Sequence, residues 1–308
     1  MQLITILGQT SSGKSDLAVE LAKNVISKGK KACVVSCDSR QIYKGLNIGT
    51  GKIEGKWTFD NQISREVFEH EGIKHFMIDF VDPHNNYNLQ SYVLDFYNLM
   101  LEIQNSFDYV ILVGGTGLYA KAIVEQLDLG QVKLEQLEDY NEYKTKLQNL
   151  NLLGLQLKLK DLNIQLNNSD HNNRVRLVSN LLKNHSQKLG WIKPSQYFKF
   201  EKQYLFAIEV DQNQLKQKIE NRLIQRFNKG LIDEIKQFEY LGEPKFLSLG
   251  LEYRQAWHFM HGKLTHSQLQ INLLTENLQY AKRQLTWLKK QKNLMWIRNF
   301  KEIISLIE

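Results

Sequence analysis

The 308-residue sequence is poor in cysteine and proline, with two and three of them respectively. Cys33 and Cys37 lie so close together in one short apolar run that a disulfide between them would be strained, and two thiols cannot form a four-ligand metal site. The eight histidines show no metal-ligand spacing with acidic partners. We therefore expect two reduced core cysteines and no histidine-based metal site.

Long apolar stretches are also missing, since none approaches the roughly 18 residues that span a bilayer. Residues 1–7 are apolar but lack the basic flank of a signal peptide. With 42% hydrophobic and 24% charged residues, the composition is typical of a soluble globular protein. We expect a cytoplasmic protein without membrane association. Its net charge of +7 suits a polyanionic or phosphorylated partner, although an ordinary basic protein shows the same value.

Apolar runs rich in β-branched residues predict strands covered on both faces by helices. Those runs are residues 3–7, 32–36 and 110–113, with a later strand at 205–210. Apolar residues at helical spacing predict helices over 16–23 and 89–104. This alternation predicts an α/β fold with a parallel sheet flanked by helices.

From about residue 125 the composition shifts to Leu, Asn, Gln and Lys, with no convincing strand before Tyr204. We interpret residues 125–196 as a helical insertion domain, which Pro194 ends. Residues 1–124 then form the first part of the core and residues 197–308 complete it with a helical C-terminal part. Its predicted helices are residues 212–227, 232–240 and 265–291.

A phosphate-binding motif follows the first predicted strand. Gly8-Gln9-Thr10-Ser11-Ser12-Gly13-Lys14-Ser15 fits the pattern G-x-x-x-x-G-K-[ST], directly before a helix. Successive backbone N–H groups at a helix N-terminus cradle phosphate oxygens, Lys14 adds a positive charge, and the Ser15 hydroxyl can ligate Mg²⁺. The motif predicts a phosphate or diphosphate site.

The ends of two other strands qualify this prediction. The third strand ends in Gly114-Gly115-Thr116-Gly117, whereas a hydrolase of this type usually places a metal-binding Asp there. These glycines either let a ligand approach the backbone or form a tight turn. The second strand delivers Asp38, which could hold a metal, act as a general base, or only form a turn.

The last long helix has an apolar stripe and an opposite face that is aromatic and basic. The stripe is formed by Leu278, Ala281, Leu285 and Leu288, and the opposite face by Tyr280, Arg283, Trp287 and Lys290. Such a face suits base stacking and phosphate neutralisation in RNA, but the aromatic residues could equally be core.

Taken together, these motifs resemble the tRNA dimethylallyltransferase family of P-loop prenyltransferases. The resemblance covers most of the chain in six ordered blocks, at residues 8–15, 36–52, 75–83, 111–119, 250–255 and 280–287. It implies a P-loop NTPase-like fold with a tRNA-facing insertion, and an enzyme that acts as a monomer. The implied reaction transfers a dimethylallyl group from dimethylallyl diphosphate to N6 of the adenosine 3′-adjacent to the anticodon (position 37) of tRNA.

The resemblance also implies roles for individual residues. Asp38 would be the general base, Thr116 and Arg254 further catalytic groups, and Ser15 the neighbour of Mg²⁺. Lys14 and the rest of the motif, Gly8 to Ser15, would bind the diphosphate or a nucleotide. The residues that would contact the anticodon stem-loop are Asp38, Ser39, Arg40, Gln41, Thr116, Asn173, Arg176, Lys282, Arg283 and Gln284.

The sequence departs from the family pattern at two places. In the insertion, only Asn173 and Arg176 match the usual Asn-Pro-Arg-Arg segment, and Gln9 replaces a common proline with little expected effect. The alternative function is a P-loop small-molecule or nucleoside kinase that binds ATP. A non-catalytic RNA-binding relative is a third interpretation, disfavoured by the intact phosphate loop and Asp38.

Overall fold

The computed structural model describes residues 1–127, 129, 131–132, 136–166, 170–189, 191–192 and 198–307. The chain divides into two compact units, one formed by Met1–Leu127 with Phe198–Glu308 and the other by Asp128–Tyr197. Pro194, the predicted end of the insertion, lies outside the described residues. No helix in the described ranges has the length and apolar character needed to cross a membrane.

The first unit is built on an eight-stranded sheet. The strands are β1 (Gln2–Leu7), β2 (Ala32–Ser36), β3 (Lys56–Asp60), β4 (Arg65–His70), β5 (Ile73–Phe76), β6 (Tyr109–Gly114), β9 (Gln203–Ile208) and β10 (Met295–Ile297). Their order across the sheet is β10-β9-β1-β6-β2-β5-β4-β3. All pairs from β10 to β5 are parallel, and only β4 and β3 join antiparallel. The predicted α/β fold with a parallel sheet, of P-loop NTPase-like type, is therefore confirmed.

Helices cover the sheet and extend from its edge. In the first unit they are α1 (Lys14–Ser27), α2 (Leu89–Ile103), α3 (Gly117–Val124), α7 (Gln212–Asn228), α8 (Leu231–Lys236), α9 (Glu243–Ser248), α10 (Leu251–Met260), α11 (His266–Leu288) and α12 (Phe300–Ile307). A 3₁₀ helix follows α8 at Glu239–Leu241. The predicted helix over 232–240 is thus two shorter elements, while the long one predicted over 265–291 is found as α11.

The second unit contains α4 (Leu137–Gln148), α5 (Leu152–Asp161) and α6 (Arg174–Leu189), which pack around a small leucine core. Two short strands, β7 (Gln131–Val132) and β8 (Trp191–Ile192), pair antiparallel. The expectation of no strand before Tyr204 is wrong on this point. A two-residue strand carries no periodic pattern, so its sequence gives no signal.

The antiparallel hairpin of β3 and β4 was not predicted either. β3 is mostly exposed, with Phe59 63% accessible, because it forms the edge of the sheet. The central strands β1 and β2 are almost wholly buried, and continuous apolar runs like theirs are the pattern that single-sequence reasoning detects. The late strand, β9, begins two residues before the predicted start.

The parallel register places three chain turns at the same edge of the sheet. β1 pairs with β6 up to Leu7 and Gly114, and β2 pairs with β6 up to Ser36 and Val113. The phosphate loop, Asp38 and the glycine turn after β6 therefore follow adjacent strand ends, where ligands bind in open α/β sheets.

Candidate active site

A cleft of about 1140 Å³ opens at this edge of the sheet. It is lined by the phosphate loop, the turns after β2 and β6, and residues of α7, α10 and α11. Of the predicted site residues it brings together Thr10, Ser11, Gly13, Lys14, Ser15, Asp38, Ser39, Arg40, Gln41, Thr116, Arg254, Arg283 and Gln284. Gly8, Gln9, Ser12 and Lys282 are not part of its lining, and Asn173 and Arg176 belong to the second unit.

The phosphate loop has the backbone conformation of an anion cradle. Ser11 (φ 60°) and Gly13 (φ 86°) are left-handed, and α1 begins directly after Gly13. Among the hydrogen bonds of the described residues, none is donated by the backbone N–H groups of Gly13, Lys14 or Ser15. The hydroxyl of Ser11 is buried without a partner, as is that of Ser12. Unpaired donors of this kind at a helix N-terminus form a site for an anionic ligand.

Two partly buried cations adjoin this loop. Lys14 donates from Nζ to the carbonyl oxygen of Gln9 at 2.7 Å, and Arg222 of α7 donates from Nη2 to Thr10 Oγ1 at 2.7 Å. Burial, and then the positive charge of Arg222, lower the pKa of Lys14 to about 8. Burial and the neighbouring Arg226 lower the pKa of Arg222 to about 9. An arriving anion would offset the cost of burying these charges.

Sequence reasoning missed Arg222, although a signal exists. Lys218, Arg222 and Arg226 follow each other at intervals of four, so they lie on one face of α7, and all three line the cleft. Arg226 is paired with Glu252 of α10 at 2.8 Å, whereas Arg222 donates to Thr10 of the phosphate loop.

Asp38 both forms a turn and faces the cleft. Its Oδ1 accepts a hydrogen bond from the backbone N–H of Arg40 at 2.9 Å, the turn-forming role considered from the sequence. Its Oδ2 makes no hydrogen bond to a described residue and lies on the side of Gly115, 3.7 Å from where a Cβ at that position would stand. One carboxylate oxygen fixes the loop while the other remains available for chemistry.

The glycine turn after β6 is packed against the protein itself. A Cβ on Gly114 would approach the carbonyl carbon of Cys37 at 2.6 Å, and one on Gly117 would meet the Trp287 ring at 2.6 Å. The close approach to these glycines that was expected from a ligand is therefore made by Cys37 and Trp287 of the protein itself. Thr116 Oγ1 accepts from the backbone N–H of Ser39 at 3.0 Å, so it joins this turn to the Asp38 loop.

The aromatic and basic face of the C-terminal helix, α11, was interpreted either as an RNA-binding surface or as part of the core, and the structure shows features of both. Trp287 packs on Gly117, and the Tyr280 hydroxyl lies 3.4 Å from the carbonyl oxygen of Gly115. Burial, and then the nearby Asp38 charge, raise the pKa of Tyr280, so its hydroxyl stays protonated. Lys282 and Arg283 are exposed. Tyr280 and Trp287 are therefore partly buried against the turn after β6, while Lys290, the other cation of the predicted basic face, is exposed as well.

Arg254 lies at the rim of the cleft, where its Nη2 contacts Glu276 Oε2 at 2.6 Å. Arg40 donates from Nη1 to the carbonyl oxygen of Ser248 at 2.6 Å, and Gln41 donates to that of Gly51 at 3.0 Å. In the second unit, Asn173 Oδ1 accepts from the backbone N–H of Arg176 at 3.2 Å, and the Arg176 side chain pairs with Asp170.

Few protein groups near the phosphate loop could bind a metal ion. The described residues contain no group of three or more His, Cys, Asp or Glu that could hold an ion. Mg²⁺, however, is usually bound by one or two protein groups together with substrate phosphates and water. Ser15, partly buried in the first turn of α1 and lining the cleft, supplies one such oxygen.

Comparisons with known proteins agree with this geometry. The sequence model described as IPP transferase matches residues 41–291. The chain is 32% identical over 303 residues to tRNA dimethylallyltransferase 1 of Syntrophus aciditrophicus, covering 96% of this chain and 93% of that protein. It is 33% identical over 301 residues to the tRNA dimethylallyltransferase of Fusobacterium nucleatum, covering 95% and 90%. The crystal structure of full-length tRNA isopentenylpyrophosphate transferase from Bacillus halodurans is similar with a TM-score of 0.66 and 26% identity, covering 99% and 94%.

Proposed function

Because this chain belongs to the IPP transferase family, we propose that it transfers a dimethylallyl group to an adenosine of tRNA, and that the donor is dimethylallyl diphosphate. The acceptor atom would be N6 of the adenosine 3′-adjacent to the anticodon, and diphosphate would be released. One observation carries this assignment of the site: a phosphate loop with unpaired N–H groups faces the open oxygen of Asp38 across a single cleft.

The loop side of the cleft would bind the diphosphate and stabilise it as it leaves. Cleavage of the allylic C–O bond builds negative charge on the diphosphate oxygens. The free N–H groups from Gly13 to Ser15, with Lys14 and Arg222, would stabilise that charge as it develops. Preorganised donors in a water-poor site stabilise developing charge without reorganising during the reaction. Arg254 would add a further cation from the rim.

The opposite side would hold the adenine. N6 attacks the allylic carbon, the C–O bond to diphosphate breaks, and Asp38 Oδ2 accepts the proton that N6 loses. Thr116 fixes the Asp38 loop through Ser39, and Tyr280 remains a neutral hydrogen-bond donor beside it. The base must leave the anticodon-loop stack to reach this cleft, so we infer an extruded nucleotide.

Ser15 is the residue that would hold Mg²⁺, and the chemistry supplied by the ion would be neutralisation of phosphate charge. On the protein side, Ser15 would supply the hydroxyl and Lys14 the charge that orient the donor.

The RNA would contact Asp38, Ser39, Arg40 and Gln41 at the cleft, together with exposed Lys282 and Arg283 of α11. In the second unit, Arg176 would have to exchange its partner Asp170 for a phosphate, and Asn173 caps the helix that carries Arg176.

We continue to predict that the protein is a monomer and lies in the cytoplasm. The kinase alternative is not favoured, because the relatives are tRNA dimethylallyltransferases.

A direct test offers the protein an anticodon stem-loop together with either radiolabelled dimethylallyl diphosphate or γ-labelled ATP. We expect label from the diphosphate donor on the RNA, and none when the target adenosine is replaced by guanosine. Phosphate transfer from ATP to a nucleoside or small molecule, without prenyl transfer, would establish the kinase instead.

The low pKa of Lys14 predicts that donor binding is linked to proton uptake. In the free enzyme Lys14 has a pKa of about 8, and a bound diphosphate would raise it because the anion favours the charged amine. At pH 8.5 binding should therefore take up protons, and affinity should fall as the pH rises through 8. Calorimetry in two buffers of different ionisation enthalpy measures this uptake. Lys14→Gln serves as the control, and equal uptake by the variant and the wild type would contradict the assignment.

A further inference from the structure

Gln284 is a buried side chain at the meeting point of the phosphate loop and the turn after β6. Its Oε1 accepts the backbone N–H of Thr10 at 2.7 Å, and its Nε2 donates to the carbonyl oxygen of Gly115 at 2.9 Å. The residue is only 8% exposed. Both ends of its amide thus bind protein backbone, one end on each side of the cleft.

A second glutamine reinforces this connection. Gln9, buried to 3% exposure, donates from Nε2 to the carbonyl oxygen of Ala281 at 3.0 Å. Gln212 of α7 donates to Gln9 Oε1 at 3.0 Å. Two consecutive residues of the phosphate loop are therefore tied to α11, so the glutamine at position 9 contributes contacts that the sequence alone did not predict.

We propose that Gln284 is a positioning residue for the donor rather than an RNA contact. It occupies the N–H of Thr10 and fixes the loop relative to Gly115, whose neighbour Thr116 holds the Asp38 loop. Together with Gln9, this amide thereby fixes the phosphate loop, which would hold the diphosphate, relative to the Asp38 loop, which would face the base. The inference rests on the proposed prenyl transfer. It assigns direct RNA contact on this stretch of α11 to the exposed Lys282 and Arg283.

The two hydrogen bonds of the Gln284 amide explain why a substitution should displace the phosphate loop. Gln284→Ala leaves the N–H of Thr10 and the carbonyl of Gly115 without their partners in a buried place, and such groups are expensive to leave unpaired. Gln284→Glu keeps the acceptor for Thr10 but cannot donate to Gly115, and it adds a negative charge beside the diphosphate. Both changes should displace the phosphate loop, the second without creating a void.

The first measurement is of diphosphate binding and is made without RNA. Calorimetric titration with inorganic diphosphate and Mg²⁺ should show binding about tenfold weaker in Gln284→Ala, and weaker still in Gln284→Glu. Affinity for an anticodon stem-loop in the absence of donor should stay within about twofold of the wild type. The kcat for prenyl transfer should fall at saturating concentrations of both substrates, since loop and base are misaligned.

Gln291→Ala is the matched control. Gln291 also donates from Nε2 to a backbone carbonyl, that of Trp287 at 2.7 Å, but its side chain is bonded at the end of α11 and not to the loop. Diphosphate affinity should be unchanged in this variant. If the Gln284 variants bind diphosphate normally but bind the stem-loop poorly, Gln284 is an RNA contact and the proposal is wrong. If the wild type transfers no prenyl group at all, the proposed function itself fails, which is a separate result.

Discussion

Replacing Asp38 with alanine should lower the kcat for prenyl transfer by about 10² to 10⁴, the range usual for loss of a general base. The reason is that Oδ2 is the carboxylate oxygen left open to the cleft once Oδ1 has bonded to the N–H of Arg40. Diphosphate affinity should change little, because the loop N–H groups and Lys14 are retained. Single-turnover transfer to an anticodon stem-loop measures the effect on chemistry directly.

Asp38→Asn separates the two functions of this side chain. The amide oxygen can still accept from Arg40, so the turn should persist, but the group cannot take a proton. We expect Asn and Ala variants with similarly low rates and an Asn variant with nearly normal melting temperature. A normal rate in Asp38→Asn would assign Asp38 to the turn alone.

Lys14→Ala should have the second largest effect, and it should act on donor binding. Removing one member of a buried, hydrogen-bonded charge pair typically costs about 2 to 5 kcal/mol, which corresponds to roughly 30-fold to several thousand-fold in Kd. Because Lys14 lies against the loop carbonyl of Gln9, its amine needs only a small shift to reach a bound phosphate. Equilibrium titration with dimethylallyl diphosphate gives the Kd.

Lys23→Ala, on the same helix, is the control for Lys14→Ala. Lys23 is half-exposed, pairs with Glu71 at 2.7 Å, and is not part of the cleft lining. The Lys23→Ala variant should bind the donor as the wild type does. If Lys14→Ala also bound normally, the diphosphate would have to lie elsewhere in the cleft, and the proton uptake expected at pH 8.5 would have another source.

The central strands and the principal turns could be predicted from the sequence because each carries a local signal. β1, β2 and β6 are buried on both faces, and the phosphate loop and Asp38 follow strand ends that the chain must bring together. The edge hairpin of β3 and β4 could not be predicted, because many of its residues are exposed and they form no strong apolar pattern. β4 also pairs with β5, the strand that directly follows it.

The candidate site follows the same division. The motif from Gly8 to Ser15 is contiguous, so its chemistry can be read directly. Arg222 and Gln284 bond to that loop from helices more than two hundred residues away in the chain. The spacing of Lys218, Arg222 and Arg226 places them on one face of α7, but no local pattern shows which loop that face contacts. The resemblance implies that Gln284 is an RNA contact, whereas its hydrogen bonds join it to the backbone of Thr10 and Gly115.

The pairing of β1 with both β6 and β9 also affects the order in which the molecule can be made during translation. Leu3 pairs with Val110 on one side and with Gln203 on the other. Until β9 has left the ribosome, β1 presents an unpaired apolar edge, which is the kind of surface that recruits other strands. α7 and α11, which hold the phosphate loop, are synthesised later still. The first motif of the chain to be translated is thus completed by late segments, so a nascent chain carries the binding sequence well before it can carry the binding site.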